Sequence, residues 1–296
     1  MSDISSQNAP PENVLLGSIF ICLSAAMFAA AGVAAKMALH DLAPVQLVFW
    51  RNLMSMVLFG GFLLVVRPNA FKKLGTRKFP LHLTRSILSL LVLYSYFYAV
   101  SRIPLSTAVL LMSTSPIFVP ILAYLLLQKK SARTVWVGVL IAFFGVALVI
   151  DPSLSYDLTS LDSLGILGGI GAGFLGGAAT IAIWKMSATE PPDRQIVFFT
   201  TISFVLSIPI YLLDWRMPKA ETFIPIVCLG IATTFAQYFL SRGCQLAPAD
   251  KINTWNYLSI VFAALAAFIG WNETLSPGMV AGIALVVIGA HTASRP

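Results

Sequence analysis

Apolar residues gather in long runs separated by short charged or Pro/Gly-containing breaks, near 14–35, 45–66, 81–101, 104–127, 134–150, 164–184, 195–213, 222–242, 247–270 and 275–292. An α-helix needs roughly 20 such residues to cross a bilayer core about 30 Å thick. The pattern therefore predicts an all-α polytopic membrane protein with ten transmembrane helices. Only Arg102 and Ile103 separate the third and fourth runs, which predicts a tight helical hairpin. The two longest connections are a basic one at 67–80 and an acidic one at 151–163, so no loop has room for a separate catalytic domain. Residues 1–13 are polar, lack lysine and arginine, and read as a short disordered cytoplasmic tail rather than a signal peptide.

With ten crossings both termini share one side, and the charges sort by side. Arg67, Lys72, Lys73, Arg77, Lys78, Lys129, Lys130, Arg133, Lys185, Arg194, Arg242 and Arg295 fall on the terminal side. Lys36, Arg102, Arg216 and Lys219 fall on the other, along with Asp151, Asp157 and Asp162 in its longest loop. Short cytoplasmic loops retain lysine and arginine, so both termini are expected in the cytoplasm of a bacterial inner membrane. The formal charge of +7 is then an orientation signal, not the footprint of a nucleic-acid partner.

Composition agrees with the pattern. The chain of 296 residues is 58% hydrophobic and 10% charged, with a mean hydropathy of +0.85. A soluble domain carries about 25% charged residues, so a soluble enzyme or nucleic-acid binder is excluded. Cys22, Cys228 and Cys244 lie in or beside apolar runs without metal-ligand spacing and read as packing residues.

The two halves match each other. Pro104 and Pro248, Gly138 and Gly282, Gly145 and Gly289, and Tyr94 and Tyr238 are all 144 residues apart. Leu16-Gly17 and Lys36-Met37 likewise resemble Leu164-Gly165 and Lys185-Met186, with one residue of slippage. The halves are 14–150 and 164–292, joined by a non-cytoplasmic loop at 151–163. Each contains an odd number of spans, five, so the second enters the membrane from the opposite side. Such inverted repeats recur in secondary transporters, where a site between the halves opens alternately to each face.

Phe49-Trp50-Arg51-Asn52-Leu53, Arg85, Tyr98-Ala99-Val100, Ile103-Pro104, Ala108, Ser115-Pro116 and Trp271-Asn272-Glu273-Thr274-Leu275 give the chain a resemblance to the drug/metabolite transporter superfamily. It specifically resembles EamA-type permeases with two EamA repeats, over essentially the whole chain after the tail. The resemblance implies a carrier without catalytic residues, metal or cofactor, whose fourth and ninth helices line a central cavity. Such repeats often carry a glutamate after both those helices; here Lys129 stands where the second repeat has Glu273.

Ionisable and amide side chains inside a span are the candidates for the site, because each is costly there. Arg51, the deepest, could hold a carboxylate through two parallel bonds or brace its helix. Arg85 lies one turn from the cytoplasmic face, where snorkelling accounts for it, and Lys36 and Lys185 read as membrane-end anchors. Asn253, Asn256 and Tyr257, spaced i, i+3, i+4, would share one face of an α-helix turned toward protein or a wet cavity. Asp250 suits the first turn of that helix. Tyr94, Gln237 and Tyr238 lie well inside spans three and eight and are expected to face the pathway; Trp50 and Trp184 are equally well explained as packing or belt residues. Ser106, Thr107, Ser113, Thr114 and Ser115 precede or flank Pro116 and Pro120, where a bend could form a gate. Gly165, Gly169, Gly173 and Gly177 form a face of small residues that another helix can approach closely.

No H-E-x-x-H, G-x-S-x-G or His/Cys cluster is present, and no acid sits in mid-membrane. The expected function is an inner-membrane carrier for a small polar or amphipathic metabolite, an amino acid or related compound, with export favoured. Uptake of a vitamin or nucleotide-like solute is the alternative, and a channel or membrane scaffold the non-carrier alternative. The partners are the substrate, the bilayer and, in a homodimer, a second copy of the chain.

Overall fold

A computed structural model describes residues 13–66, 74–100, 102, 103, 105–150, 162–271 and 276–295. Among them every regular element is helical. The first half contains α1 (Val14–Ala38), α2 (Pro44–Val66), α3 (Phe79–Val100), α4 (Leu105–Met112), α5 (Ser115–Leu127) and α6 (Arg133–Ile150). The second contains α7 (Ser163–Ser187), α8 (Pro192–Tyr211), α9 (Ala220–Leu246), α10 (Ala249–Ile252), α11 (Leu258–Trp271) and α12 (Pro277–Ser294), with 3-10 turns at Leu212–Asp214 and Asn253–Tyr257. Seven helical stretches are long and apolar enough to cross a membrane, and α6 is a shorter apolar helix. Together they make a polytopic membrane protein.

Helix starts follow the local sequence. The Asn13 side chain accepts the Leu16 N–H at 2.9 Å, and its own N–H donates to the Leu246 carbonyl at 2.8 Å. Asn13 is therefore the cap of α1 rather than the end of the tail; residues 1–12 lie outside the described residues. The Asp162 carboxylate accepts the Leu164 N–H at 2.7 Å and the Arg102 guanidinium at 2.7 Å, fixing the start of α7 beside the turn after α3. That turn is the short hairpin expected between the third and fourth spans.

Spans four and nine are interrupted, which the apolar pattern does not show. Span four is divided at Ser113–Thr114, where Ser113 donates to the Val109 carbonyl at 2.7 Å and Thr114 to the Leu111 carbonyl at 2.6 Å. Pro116 opens the first turn of α5 and Pro120 lies within that helix, so the discontinuity precedes both prolines. A proline in the first turn costs nothing, because its missing N–H would have had no intrahelical partner. Span nine leaves α-geometry over Asn253–Tyr257. At the 144-residue offset these positions correspond to 109–113, so the interruption of span nine ends at the register position where that of span four begins.

Packing repeats the same symmetry. The most extensive helix pairs are α6 with α12, α1 with α9, α3 with α7, and α2 with α8. Exchanging each helix for its counterpart in the other half turns α1·α9 into α7·α3 and leaves the other two pairs unchanged. At α6·α12 the glycines cross over. A Cβ on Gly145 would stand 2.6 Å from the Gly282 carbonyl oxygen, and one on Gly282 would stand 2.6 Å from that of Gly145. Gly138 and Gly289 oppose each other in the same way. On α7, Gly165 seats Ile103, Gly169 seats Leu111, Gly173 seats Thr114 and Gly177 seats Phe118. The small-residue face thus receives both pieces of the interrupted span four, at distances only a missing side chain allows.

Candidate functional site

The pair α2·α8 lies across the axis that relates the halves, and beside it α9 closes a narrow crevice. Phe28 of α1, Arg51, Asn52 and Ser55 of α2, Ile196, Phe199 and Thr200 of α8, and Thr233, Thr234 and Gln237 of α9 surround a cavity of about 20 Å³, room for about one water molecule. The Arg51 guanidinium donates to Asn52 Oδ1 at 2.8 Å, and Asn52 in turn donates to the Ser203 carbonyl at 3.2 Å. The Thr200, Thr233 and Thr234 hydroxyls donate to carbonyls of their own helices at 2.7–2.9 Å. Their donors are thereby occupied, while the oxygens retain lone pairs that can accept from a guest.

Arg85 does not snorkel. It is fully buried, with one terminal nitrogen 3.0 Å from the Gln195 carbonyl and the other 2.8 Å from Gln237 Oε1. Its guanidinium also lies 4.6 Å over the Phe199 ring. Because Phe199 and Gln237 both line the crevice, Arg85 stands directly behind its wall. The long side chain turns inward, where planar donors find oxygens and an aromatic face that water would otherwise supply.

Ion pairs among the described residues include Arg102–Asp162, Arg194–Glu190 and Lys219–Asp41, and His82 Nε2 faces Glu190 at 3.6 Å. Neither Arg51 nor Arg85 takes part in any of them. Two guanidiniums therefore sit at one crevice, in a part of the molecule made of apolar helices, with neutral oxygens as their hydrogen-bond partners.

The structure brings Arg51 and Gln237 together at the crevice, sets Tyr94 and Tyr238 beside it and places the span-nine candidates elsewhere. Tyr94 on α3 lies within electrostatic range of Arg51, and its buried hydroxyl has no hydrogen-bond partner among the described residues. Tyr238 packs instead on Phe59, Leu63 and Ile196. Asn253, Asn256 and Tyr257 lie in the interruption of span nine, packed between α1, α6 and α12. In 3-10 geometry residues three apart eclipse one another and the next turns about 120° away. Asn253 and Asn256 therefore align, while Tyr257 turns toward Ala142, Val146 and Val286, which corrects the shared α-helical face.

This interruption concentrates unmet polar groups. Asn253 Oδ1, Thr254 Oγ1, Trp255 Nε1, Asn256 Oδ1 and the Tyr257 hydroxyl are buried without a hydrogen-bond partner among the described residues. Asp250 just before it accepts from Ser131 at 2.6 Å. Pro120 faces a separate open groove of about 410 Å³ with Tyr124, Lys130 and Trp136, and Pro116 is buried. Trp50 packs edge-on against Phe49 and Tyr211, whereas Trp184 carries the Lys129 ammonium at 4.8 Å. Lys185 is exposed in the last turn of α7. The Lys36, Ser106 and Thr107 side chains, Pro104 and residues 272–275 lie outside the described residues.

Asn52, Ser55, Thr200, Thr233, Thr234 and Gln195 were not among the sequence candidates. A usable signal was present: Thr233, Thr234 and Gln237 repeat at i, i+1, i+4 within apolar α9, and Asn52 and Ser55 follow Arg51 on α2.

The EamA-like transporter family model matches residues 15–151 and again 163–295. The pseudopaline exporter CntI of Pseudomonas aeruginosa is 25% identical over 280 residues, covering 94% of this chain and 96% of that protein. The riboflavin transporter of Vibrio cholerae is 25% identical over 73% of this chain and 72% of its own length. The S-adenosylmethionine uptake transporter of Rickettsia prowazekii is 23% identical over 82% and 80%. A solved crystal structure at 15% identity superposes with a TM-score of 0.80, covering 94% of this chain and 98% of that one, and shares the fold.

Proposed function

Because the chain belongs to the EamA-like transporter family, we propose that it is a secondary carrier working by alternating access between two inverted five-helix halves. In this reading the membrane is crossed ten times, α4–α5 and α10–α11 each counting as one interrupted crossing. Both termini lie in the cytoplasm of a bacterial inner membrane. The cargo is a small polar or amphipathic metabolite bearing a negative group, an amino acid or related compound, and export is the favoured direction. The single observation that carries the proposal is the pair of guanidiniums at the α2·α8·α9 crevice without a carboxylate partner among the described residues.

An arginine at the centre of a membrane helix costs about 2.5–3.5 kcal/mol to insert. An anionic guest bound to Arg51, and stabilised by Arg85 through the wall, would offset that cost at the moment of binding. Gln237, Thr233 and Thr234 would orient the remainder of the solute, and Tyr94 would wall the cavity from α3. The orphaned amides of Asn253 and Asn256 offer a second polar contact along the route, next to an interruption of the kind transporters use at their sites. Pro116 and Pro120, beside the matching interruption in span four, are assigned to its gate. Tyr238 and Tyr257 are kept as wall residues that come into play when the halves move.

A second reading, uptake of a vitamin or nucleotide-like solute, is favoured by the riboflavin and S-adenosylmethionine transporters among the relatives. The aromatic walls suit such a solute equally. Purified protein in liposomes separates the readings by which solute crosses. Arg51→Ala is expected to lower the apparent affinity for an anionic solute about 10- to 100-fold, the range of one lost charge-assisted hydrogen bond. Asn256→Ala is expected to slow flux with a smaller effect. Unchanged flux in both variants would remove these residues from the site.

A further inference from the structure

Two carboxylates outside the crevice occupy matching places in the two halves. Glu190, in the turn between α7 and α8, is only 4% exposed. Its Oε1 accepts from the Thr76 hydroxyl at 2.8 Å and its Oε2 from Arg194 at 2.8 Å, with His82 Nε2 at 3.6 Å. Next to it, Lys78 donates to the Thr189 hydroxyl at 2.8 Å. The α7–α8 turn is thereby fastened to the start of α3.

Asp41, in the turn between α1 and α2, makes the corresponding attachment to the start of α9. Its Oδ2 accepts from the Lys219 backbone N–H at 2.9 Å and the Thr222 hydroxyl at 3.0 Å, and its Oδ1 faces Lys219 Nζ at 3.7 Å. The sequence registers make the two equivalent. Lys36 and Lys185 are 149 residues apart, and so are Asp41 and Glu190. At the 144-residue offset that relates α3 to α9, Lys78 corresponds to Thr222.

The two attachments stand at opposite ends of the molecule, and α9 measures the separation. It meets Asp41 through Thr222 in its first turn, and near its last turn Gln245 donates to the Glu190 carbonyl at 3.4 Å. The 23-residue step from Thr222 to Gln245 spans about 35 Å at 1.5 Å per residue, comparable with a bilayer core of roughly 30 Å. Both acids are held in their charged form. Burial alone would raise the Glu190 carboxyl, but bonds from Arg194 and Thr76 and the nearby Arg194 charge hold it below the usual carboxylate range. For Asp41 the Lys219 N–H, then the Thr222 hydroxyl and the Lys219 and Arg216 charges, outweigh the opposing effect of burial and lower it likewise.

We propose that Glu190 and Asp41 are the two gate latches of the carrier, one at each mouth, and that each transport step releases one while the other stays fastened. The proposal rests on the alternating-access reading above. Linkage to the crevice is direct on the Glu190 side. His82 and Arg85 are one turn apart on α3, so displacing the start of α3 from Glu190 displaces the guanidinium that holds Gln237 and Gln195. On the Asp41 side the turn leads into α2, which carries Arg51. The latches differ in what crosses each mouth. Arg194 lies four residues from Glu190 along the same segment and only orients its carboxylate, so the contacts across that mouth come from Thr76 and His82. Across the Asp41 mouth they come from the Lys219 N–H, the Thr222 hydroxyl and the exposed Lys219 ammonium.

Spin-label distances test this without any substrate, in protein whose cysteines are replaced by alanine. One label pair, at Arg77 and Ala188, spans the Glu190 mouth, and another, at His40 and Met217, spans the Asp41 mouth. Glu190→Gln is expected to raise the long-distance population of the first pair about tenfold and leave the second unchanged; Asp41→Asn does the reverse. Thr76→Ala and Thr222→Ala, which remove a donor and leave the carboxylates in place, shift the same mouths in the same directions by less. Both distances unmoved, or both acid variants widening the same mouth, would overturn the latch assignment. Absence of flux in the unaltered protein would instead overturn the carrier reading, while the distances would still be measurable.

Discussion

Gly145→Leu and Gly282→Leu are each expected to destabilise the protein by ~3 kcal/mol or more and to abolish transport. Each glycine faces the other's carbonyl oxygen across α6·α12, with room for no Cβ. The obstacle is backbone on both sides, so no rotamer change relieves it, and the helices must separate. Apolar side chains already solvated by lipid gain little from association, so close packing supplies most of what holds membrane helices together. Gly171 provides the control. Nothing lies within 4 Å of a Cβ placed there, and replacing a glycine within a helix by alanine is worth roughly 0.5–1 kcal/mol of stability. Gly171→Ala should raise the unfolding temperature in detergent while Gly145→Leu lowers it steeply. Equal behaviour of the two would mean that α6·α12 is not packed as described.

Arg85→Lys is the second large effect, because it preserves charge and removes geometry. A guanidinium donates to Gln195 and Gln237 at once while lying flat over Phe199; an ammonium on a flexible stem cannot do all three. One buried oxygen is left without a donor, at a cost of about 1–3 kcal/mol, and Gln237 is freed to reorient in the crevice. Flux is expected to fall about tenfold or more, and the lysine should rescue little of what Arg85→Ala loses. Full activity in Arg85→Lys would show that Arg85 supplies charge alone, and a loss of stability with unchanged flux would make it a packing residue.

How much of this was legible in the sequence depends on the distance over which each feature is determined. Apolar runs are imposed residue by residue by the bilayer, so the helices could be read directly. The repeat could be read because Gly138, Gly145, Gly282 and Gly289 are fixed by contacts that tolerate no other residue. The interruptions were less visible. Pro116 and Pro120 point to a bend, and the helix breaks just before Pro116, which has no N–H to offer the Met112 carbonyl four residues back, at hydroxyls able to satisfy freed carbonyls. Asn253, Thr254 and Asn256 compete with the backbone for hydrogen bonds, a signal weaker than that of the long apolar run around them.

Arg85 shows the limit most clearly. Its place one turn from a helix end suggested an outward-reaching side chain, and its partner Gln237 is 152 positions away on another helix. Single-chain spacing carries no record of that pairing. Asp41 and Glu190, by contrast, could have been found by applying the Lys36–Lys185 register a few residues further along.

Counterflow in liposomes reconstituted with the purified protein is the most direct test of the central claim. Vesicles loaded with a panel of amino acids and related anionic metabolites are diluted into trace amounts of each labelled solute. The account predicts one chemically related group that accumulates transiently, saturates with concentration and loses this behaviour in Arg51→Ala. Flux that rises linearly without exchange, or no exchange by any solute of the panel, would contradict it.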